Sequence, residues 1–236
     1  MIEQFLNPST FREQALFLSP AHIIVLIVFV LSMVWIYFHR NKQYMRHVRW
    51  IIFVLLIFSE ISLIAWTIYH GLWSVRFHLP LNLCTISLYV TAFMIVFRSY
   101  AIFEIVYFFG VGGAIQALLT PDLFYTFPHF RFLHFFIAHI AIILGIFYMV
   151  FVYKFRPTFR SMIKSFVALN VIAFIVFWVN IMTGANYMFL ARKPEGPSIL
   201  DLLGPYPWYI LSLELVAIVM FILLYLPFYI LQKKEE

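Results

Sequence analysis

Cys84 is the sole cysteine of the 236-residue chain. A thiol attacks a carbonyl well once a base has taken its proton. Histidine is the usual base, and the sequence offers His139 and His134. A third group must orient the imidazole, and Glu214, Glu60 and Asn180 are the candidates. Amide donors such as Asn82 or Asn180 suit an oxyanion formed at the attacked carbonyl. The chemistry open to such a set is acyl transfer through a thioester. The bland alternative is a group of satisfied core polar residues, which is the commoner state of a free cysteine. One cysteine cannot form an intrachain disulfide or a thiolate metal cluster, and neither a cofactor nor a metal is expected. Gly110-Val-Gly112-Gly113 is not followed by Lys-Ser/Thr, so it reads as close helix packing rather than a phosphate loop.

The elements that must carry these residues are membrane helices. The chain is 64% hydrophobic and only 11% charged, with a mean hydropathy of +0.96. That is too little charge to coat a water-facing surface. Seven apolar runs, about 19–38, 50–69, 79–97, 101–119, 133–153, 165–184 and 208–230, can each cross a hydrocarbon core of ~30 Å. Backbone polar groups in lipid must be paired within the segment, so the runs are helices. They lack the alternation of barrel strands. The expected fold is therefore all-α, a single polytopic domain over 1–236 built as a seven-transmembrane-helix bundle.

Lys and Arg set the orientation. Arg40, Lys42, Arg46, Arg49, Lys154, Arg156, Arg160 and Lys164 fill two loops, and Arg98, Lys233 and Lys234 join them on one side. The other side has Arg12, Arg76, Arg131, Arg192 and Lys193. This asymmetry places the N-terminus outside and the C-terminus in the cytoplasm of a multi-pass cell-membrane protein. It also accounts for the net charge of +6 without nucleic acid as a partner. Glu3, Arg12 and Glu13 before the first run argue against a signal peptide. Two capping-box patterns, Thr10 with Glu13 and Ser198 with Asp201, predict short interfacial helices on the outer side, the second ended by Gly204-Pro205.

Ionisable groups within spans usually face the bundle interior or a cavity. At 1.5 Å per residue, Cys84 falls roughly 9 Å below the outer end of its run, His139 roughly 10 Å, Glu214 roughly 9 Å and Asn180 about 6 Å. A thiol, an imidazole, a carboxylate and an amide thus share one layer. His139 matches the Cys84 depth and is the preferred base. His134, shallower and rotated by about 140°, is the other candidate or a group at headgroup level. Glu60 lies mid-span, and Glu104, near the cytoplasmic end, reads as structural.

Three stretches carry a resemblance. They are Leu79-Pro-Leu-Asn-Leu-Cys84, Phe127-Pro-His-Phe-Arg-Phe-Leu-His-Phe-Phe-Ile-Ala-His139, and Gly184-Ala-Asn-Tyr-Met-Phe-Leu-Ala-Arg-Lys-Pro194 continuing to Leu202-Leu-Gly-Pro-Tyr-Pro-Trp208. Together they resemble the YwaF-like bacterial membrane proteins, which are similar to the animal transmembrane protein 164 family. The resemblance implies a lipid acyltransferase using a cysteine and a histidine within the bilayer. The cysteine falls on Cys84 and the histidine on His139, with His134 close by.

Two functions follow as expectations. In the first, a membrane phospholipid or lysophospholipid is the substrate, Cys84 takes the acyl group, and a hydroxyl or water removes it, giving an acyltransferase or an acyl-lipid hydrolase. In the second, the same polar layer serves a non-enzymatic small-molecule binder or transporter. An odd helix count and the lack of a visible repeat weigh against a carrier.

Overall fold

A computed structural model describes residues 5–10, 16–193 and 199–235. Among these residues the fold is all-helical, with seven long α-helices. They are α1 (Pro20–His39), α2 (Met45–Tyr69), α3 (Leu83–Phe97), α4 (Tyr100–Leu119), α5 (Phe130–Phe151), α6 (Phe159–Thr183) and α7 (Trp208–Glu235). Their starts are written in local chemistry. Ser19 accepts from the His22 N–H to begin α1, and Ser99 accepts from the Ile102 N–H to begin α4. Thr158 and Ser161 close a capping box at α6. Gly184, at φ 67°, ends α6 in the left-handed conformation that glycine adopts without steric cost.

Side chains that bridge to distant backbone show that the helices alternate in direction. At one end, Trp66 donates to Leu6 O, Tyr125 OH to Pro8 O, and Arg76 to Thr183 O. At the other, Tyr148 OH donates to Met45 O, Tyr100 OH to Arg156 O, and Arg49 to Tyr153 OH. The first end carries the segments 70–82, 120–129 and 184–207 and is the loop-rich end. The second carries most of the basic residues. Helices α3 and α5 both begin at the loop-rich end and run parallel.

α4 and α5 form the centre. Each is 61% buried across its apolar window, against 11% for α1 and α7. α2 and α3 flank them on one side, α6 and α7 lie against α4, and α1 lies against α5. Glycine permits the closest approach. A Cβ placed on Gly145 of α5 would sit 2.7 Å from Thr91 Cγ2 of α3 and 3.4 Å from Ile52 Cγ2 of α2.

Six helices are long and apolar enough to cross a membrane. α3 has 15 residues, about 22 Å of rise. It begins at Leu83 rather than at 79, because the chain turns at Pro80, where the Leu81 N–H donates to Leu79 O at 2.8 Å, and Asn82 takes the N-cap position. α2 and α6 begin earlier than their apolar runs, at Met45 and Phe159. Their first two turns carry Arg46, Arg49, Arg160 and Lys164, of which Arg46, Arg160 and Lys164 are exposed, their long stems reaching water from helical backbone. The short helix expected after Thr10 falls on 11–15, outside the described residues, as does Ser198. Residues Ile199–Leu203 form a 3₁₀ helix, and Gly204 follows it at φ 92°.

Candidate functional site

The segment from Val75 to Asn82 brings Cys84 into place, and a tyrosine from another part of the chain holds that segment. Tyr187 is 2% exposed. Its hydroxyl donates to Val75 O at 2.6 Å and accepts from the Leu79 N–H at 2.8 Å. Asn180, also 2% exposed, grips Tyr187 in turn. Its Nδ2 donates to Tyr187 O and its Oδ1 accepts from Tyr187 N–H, both at 2.9 Å. Asn180 was a candidate to orient an imidazole or hold an oxyanion; the bonds it makes are to the turn after α6.

Cys84 is the second residue of α3, so it lies in the first turn rather than two turns down. N–H groups of a first turn have no intrahelical acceptor. The thiol is partly buried and rests on α4. A Cβ on Gly113 would lie 3.3 Å from Leu83 Cδ2 and 3.9 Å from Cys84 Sγ. Asn82, one step before the helix, is exposed, and its side chain makes no capping bond.

His139 is buried on α5. Thr91 of α3 meets Gly145 of α5; seven residues back along each parallel helix are Cys84 and Ala138, so His139 shares the level of Cys84 to within about a turn. It also lies two turns from Ile146, whose Cδ1 packs on Gly110 of α4. The imidazole and the thiol therefore both belong to the sides of their helices that meet the small-residue face of α4. His139 Nδ1 is 2.6 Å from Phe135 O. A carbonyl only accepts, so Nδ1 carries the proton and Nε2 keeps its lone pair.

His134 is engaged differently. Its Nδ1 accepts from Arg131 Nη1 at 3.3 Å, and its other face is hydrogen-bonded to the backbone of Ser59 on α2. Both nitrogens are occupied. Glu60, 8% exposed, accepts from the Tyr89 hydroxyl of α3 at 3.3 Å. Glu214 is half-buried and accepts from Asn170 Nδ2 at 3.1 Å across the α6–α7 contact. Glu104 accepts from Ser161 Oγ at 2.8 Å and Lys164 Nζ at 2.7 Å, tying α4 to α6 at the basic end. Of the residues singled out in the sequence, Cys84 and His139 thus fall at one level, whereas Asn180, Glu60 and Glu214 are each bonded to other partners.

The loop-rich end holds groups that spacing did not reveal. Arg131 sits in the first turn of α5, with its Cζ 5.9 Å from the Trp66 ring centroid. His129 caps that helix, accepting from the Arg131 N–H at 3.0 Å and donating to Asn7 O at 3.2 Å. His78 accepts from the Ser74 N–H at 3.1 Å. Burial pushes His78 and His129 below the ordinary histidine value, so both rings are neutral at neutral pH. The run Phe127–His139 carried the only sequence signal, three histidines and an arginine in thirteen residues. Among the described residues no group of three His, Cys, Asp or Glu side chains is arranged to hold a metal. A separate apolar cleft of about 480 Å³ opens at the basic end, between Tyr37, Arg40, Lys154, Arg156 and α7 residues including Pro227 and Leu231.

Residues 17–225 match the model of the TMEM164 family, and the chain belongs to that family. No curated protein and no solved structure matches it.

Proposed function

We propose that this TMEM164-family member is a membrane-embedded lipid acyltransferase or acyl-lipid hydrolase of the cell membrane, in which Cys84 is the nucleophile and His139 the base. The reading includes seven spans, with α3 crossing as a short helix preceded by the turn at 79–82. It also places the loop-rich end outside, as the basic residues at the opposite end favour. The substrate is a phospholipid acyl ester, entering sideways from the outer leaflet.

The observation that carries the reading is the pairing of two features at one level. A thiol lies in the first turn of α3, and a buried imidazole has its Nδ1 committed to Phe135 O. The bare Nε2 suits proton removal from the thiol. The thiolate then attacks the ester carbonyl, and free N–H groups of the first turn are suited to the oxyanion. Collapse breaks the ester C–O bond. The leaving alkoxide takes the proton from the imidazolium, leaving an acyl-thioester on Cys84 and a lysolipid. In the second half an acceptor hydroxyl, or water, gives its proton to Nε2 and attacks the thioester; the thiolate leaves and is reprotonated. His134 has no spare lone pair for this role and is assigned to orienting Arg131.

Intact-mass spectrometry of the purified protein after incubation with phospholipid tests the reading. An acyl-sized mass gain that hydroxylamine removes, absent from Cys84→Ala, is expected. Lipid turnover by Cys84→Ala at the wild-type rate would return the chain to the binder or transporter reading.

A further inference from the structure

Arg131 has no carboxylate partner among the described residues. Nη1 donates to His134, and no other acceptor meets its guanidinium N–H groups among those residues. A guanidinium remains charged at any ordinary pH. Arg131 is part-buried, and holding a guanidinium even partly out of water without a counter-charge is unfavourable, so such a group favours an anion. Around it stand donors rather than acids. His78, within electrostatic range of Arg131, has its Nδ1 occupied by the Ser74 N–H, which leaves its proton on Nε2. His70 Nε2 is buried with no partner. The first turn of α5, on which Arg131 rides, adds the positive end of a helix.

Among the described residues the full positive charge of this cluster is one, carried by Arg131; its histidines are hydrogen-bond groups. That balance suits a monoanion. A phosphodiester carries one negative charge at every ordinary pH, whereas a phosphate monoester approaches two near neutrality. The guanidinium fork matches two phosphate oxygens. The aromatic rings of Trp66, Tyr125 and Phe130 pack together beside Arg131, as is usual at the headgroup level of a bilayer. His139 lies eight residues deeper on the same helix, about 12 Å along its axis. An anchored headgroup would therefore hang its glycerol esters toward the Cys84 level.

We propose that the Arg131 cluster binds the phosphodiester of a membrane phospholipid and so positions its acyl ester over Cys84. This rests on the acyl-lipid reading of Cys84, and names where the substrate's headgroup is held.

The test is lipid binding by the full chain carrying Cys84→Ala, in detergent, read by native mass spectrometry. The probes are dioctanoylphosphatidylglycerol, dioctanoylglycerol and octanoate, with inorganic phosphate as competitor. The phospholipid should be retained about tenfold or more better than the diacylglycerol, and Arg131→Gln should abolish that preference, a tenfold effect corresponding to one well-made charged contact. Arg131→Lys keeps the charge but loses the fork and should bind at an intermediate level; it carries the test if Arg131→Gln does not fold. Arg46→Gln, exposed at the opposite end, should bind as the parent does. Equal retention of the two glycerolipids, or unchanged binding by Arg131→Gln or Arg131→Lys, overturns the proposal. Preferred retention of octanoate overturns it in favour of a carboxylate site, and displacement by millimolar inorganic phosphate in favour of a soluble anion. Because Cys84 is absent from this background, failure of thioester chemistry leaves the binding result standing, and failed binding leaves the thioester test untouched.

Discussion

Asn180 holds both backbone polar atoms of Tyr187 with its one amide, at 2.9 Å each. Tyr187 passes that order on to Val75 and Leu79, five to nine residues before Cys84. The turn is costly, since Met188 and Phe189 both have positive φ, a conformation side-chain-bearing residues resist. Asn180→Leu leaves the buried Tyr187 N–H unpaired, with Tyr187 O kept only by the Leu190 N–H at 3.3 Å, and should destabilise the protein by about 1–3 kcal/mol. Tyr187→Phe is gentler. It removes only the hydroxyl that fixes 75–79, so melting should fall modestly while alkylation of Cys84 changes rate. Thermal unfolding alongside timed alkylation separates the two effects. An unchanged alkylation rate in Tyr187→Phe would show that the clamp does not position the thiol.

Two glycines should respond differently to alanine. At Gly145 the new methyl would lie 2.7 Å from Thr91 Cγ2 and 3.0 Å from Ile95 Cδ1, forcing α3 and α5 apart. Gly145→Ala should cost about 1–3 kcal/mol, as overpacking does. At Gly113 the nearest atom is Leu83 Cδ2 at 3.3 Å, the end of a flexible side chain, with Cys84 Sγ next at 3.9 Å. Gly113→Ala should melt close to wild type yet slow acyl labelling, because it narrows the space beside the thiol. Parallel melting and labelling curves check both. Loss of labelling in proportion to stability at both sites would remove the distinction.

Apolar runs made the helices legible, whereas the caps at Ser99, Thr158 and Gly184 were not read from them. The start of α3 was misplaced because Leu79-Pro80-Leu81 looks like membrane, although Asn82 before Leu83 is an N-cap signal and Pro80 forbids ready continuation. That shift moves Cys84 from mid-helix to a first turn, which changes its electrostatics. Depth along a helix can be counted only from a correct start, and the count that put Cys84 level with His139 began at 79 rather than at Leu83. Partnership cannot be counted. The same reasoning grouped Asn180 and Glu214 with them, but Asn180 closes onto a turn seven residues ahead and Glu214 onto Asn170 of the next helix. Arg131 entered the sequence reading only as a loop charge, since its lack of a counter-ion among the described residues exists only after α2 and α5 are packed.

Acid should loosen the loop-rich end. His129 caps α5 with a neutral Nδ1 that accepts from Arg131 N–H. Burial, opposed by the bond to Asn7 and assisted by Arg131 and His70, lowers its affinity for a proton below the ordinary 6.5. The unfolded chain then binds the proton more readily than the folded one. Stability is therefore complete above about pH 6.5 and falls as the pH drops below it. His78, also lowered, adds in the same direction. Melting temperature between pH 7.5 and 5 should fall, and His129→Asn, which keeps a capping acceptor, should flatten the slope. An equal slope in that variant would exclude His129 as a source.

Orientation has a direct readout. With the basic end in the cytoplasm, a tag after Glu236 should be shielded in intact cells and a tag before Met1 exposed. Cysteines placed singly in a Cys84→Ala background sharpen this. One at Tyr206, exposed beside α7 at the loop-rich end, should react with a membrane-impermeant maleimide. One at Lys42, exposed between α1 and α2, should react only after permeabilisation. Both reacting alike in intact cells would break the seven-span reading.

The two histidines of α5 provide the most discriminating test of the chemistry. His139 Nε2 is bare because Phe135 O takes the Nδ1 proton, whereas both nitrogens of His134 are bonded, to Arg131 and to the Ser59 backbone. A base must have a lone pair to offer, so acyl-enzyme formation should depend on His139. His139→Ala should slow thioester formation by about a hundredfold or more, the usual worth of a positioned base, with little change in lipid affinity. His134→Ala frees Arg131 from its orienting contact. Its expected effect is weaker lipid binding, with thioester formation at saturating lipid close to wild type. Single-turnover labelling over a range of lipid concentrations resolves the two constants. If His134→Ala instead lowers the saturated rate and His139→Ala only the affinity, the roles are exchanged and the proton assignment on His139 is wrong.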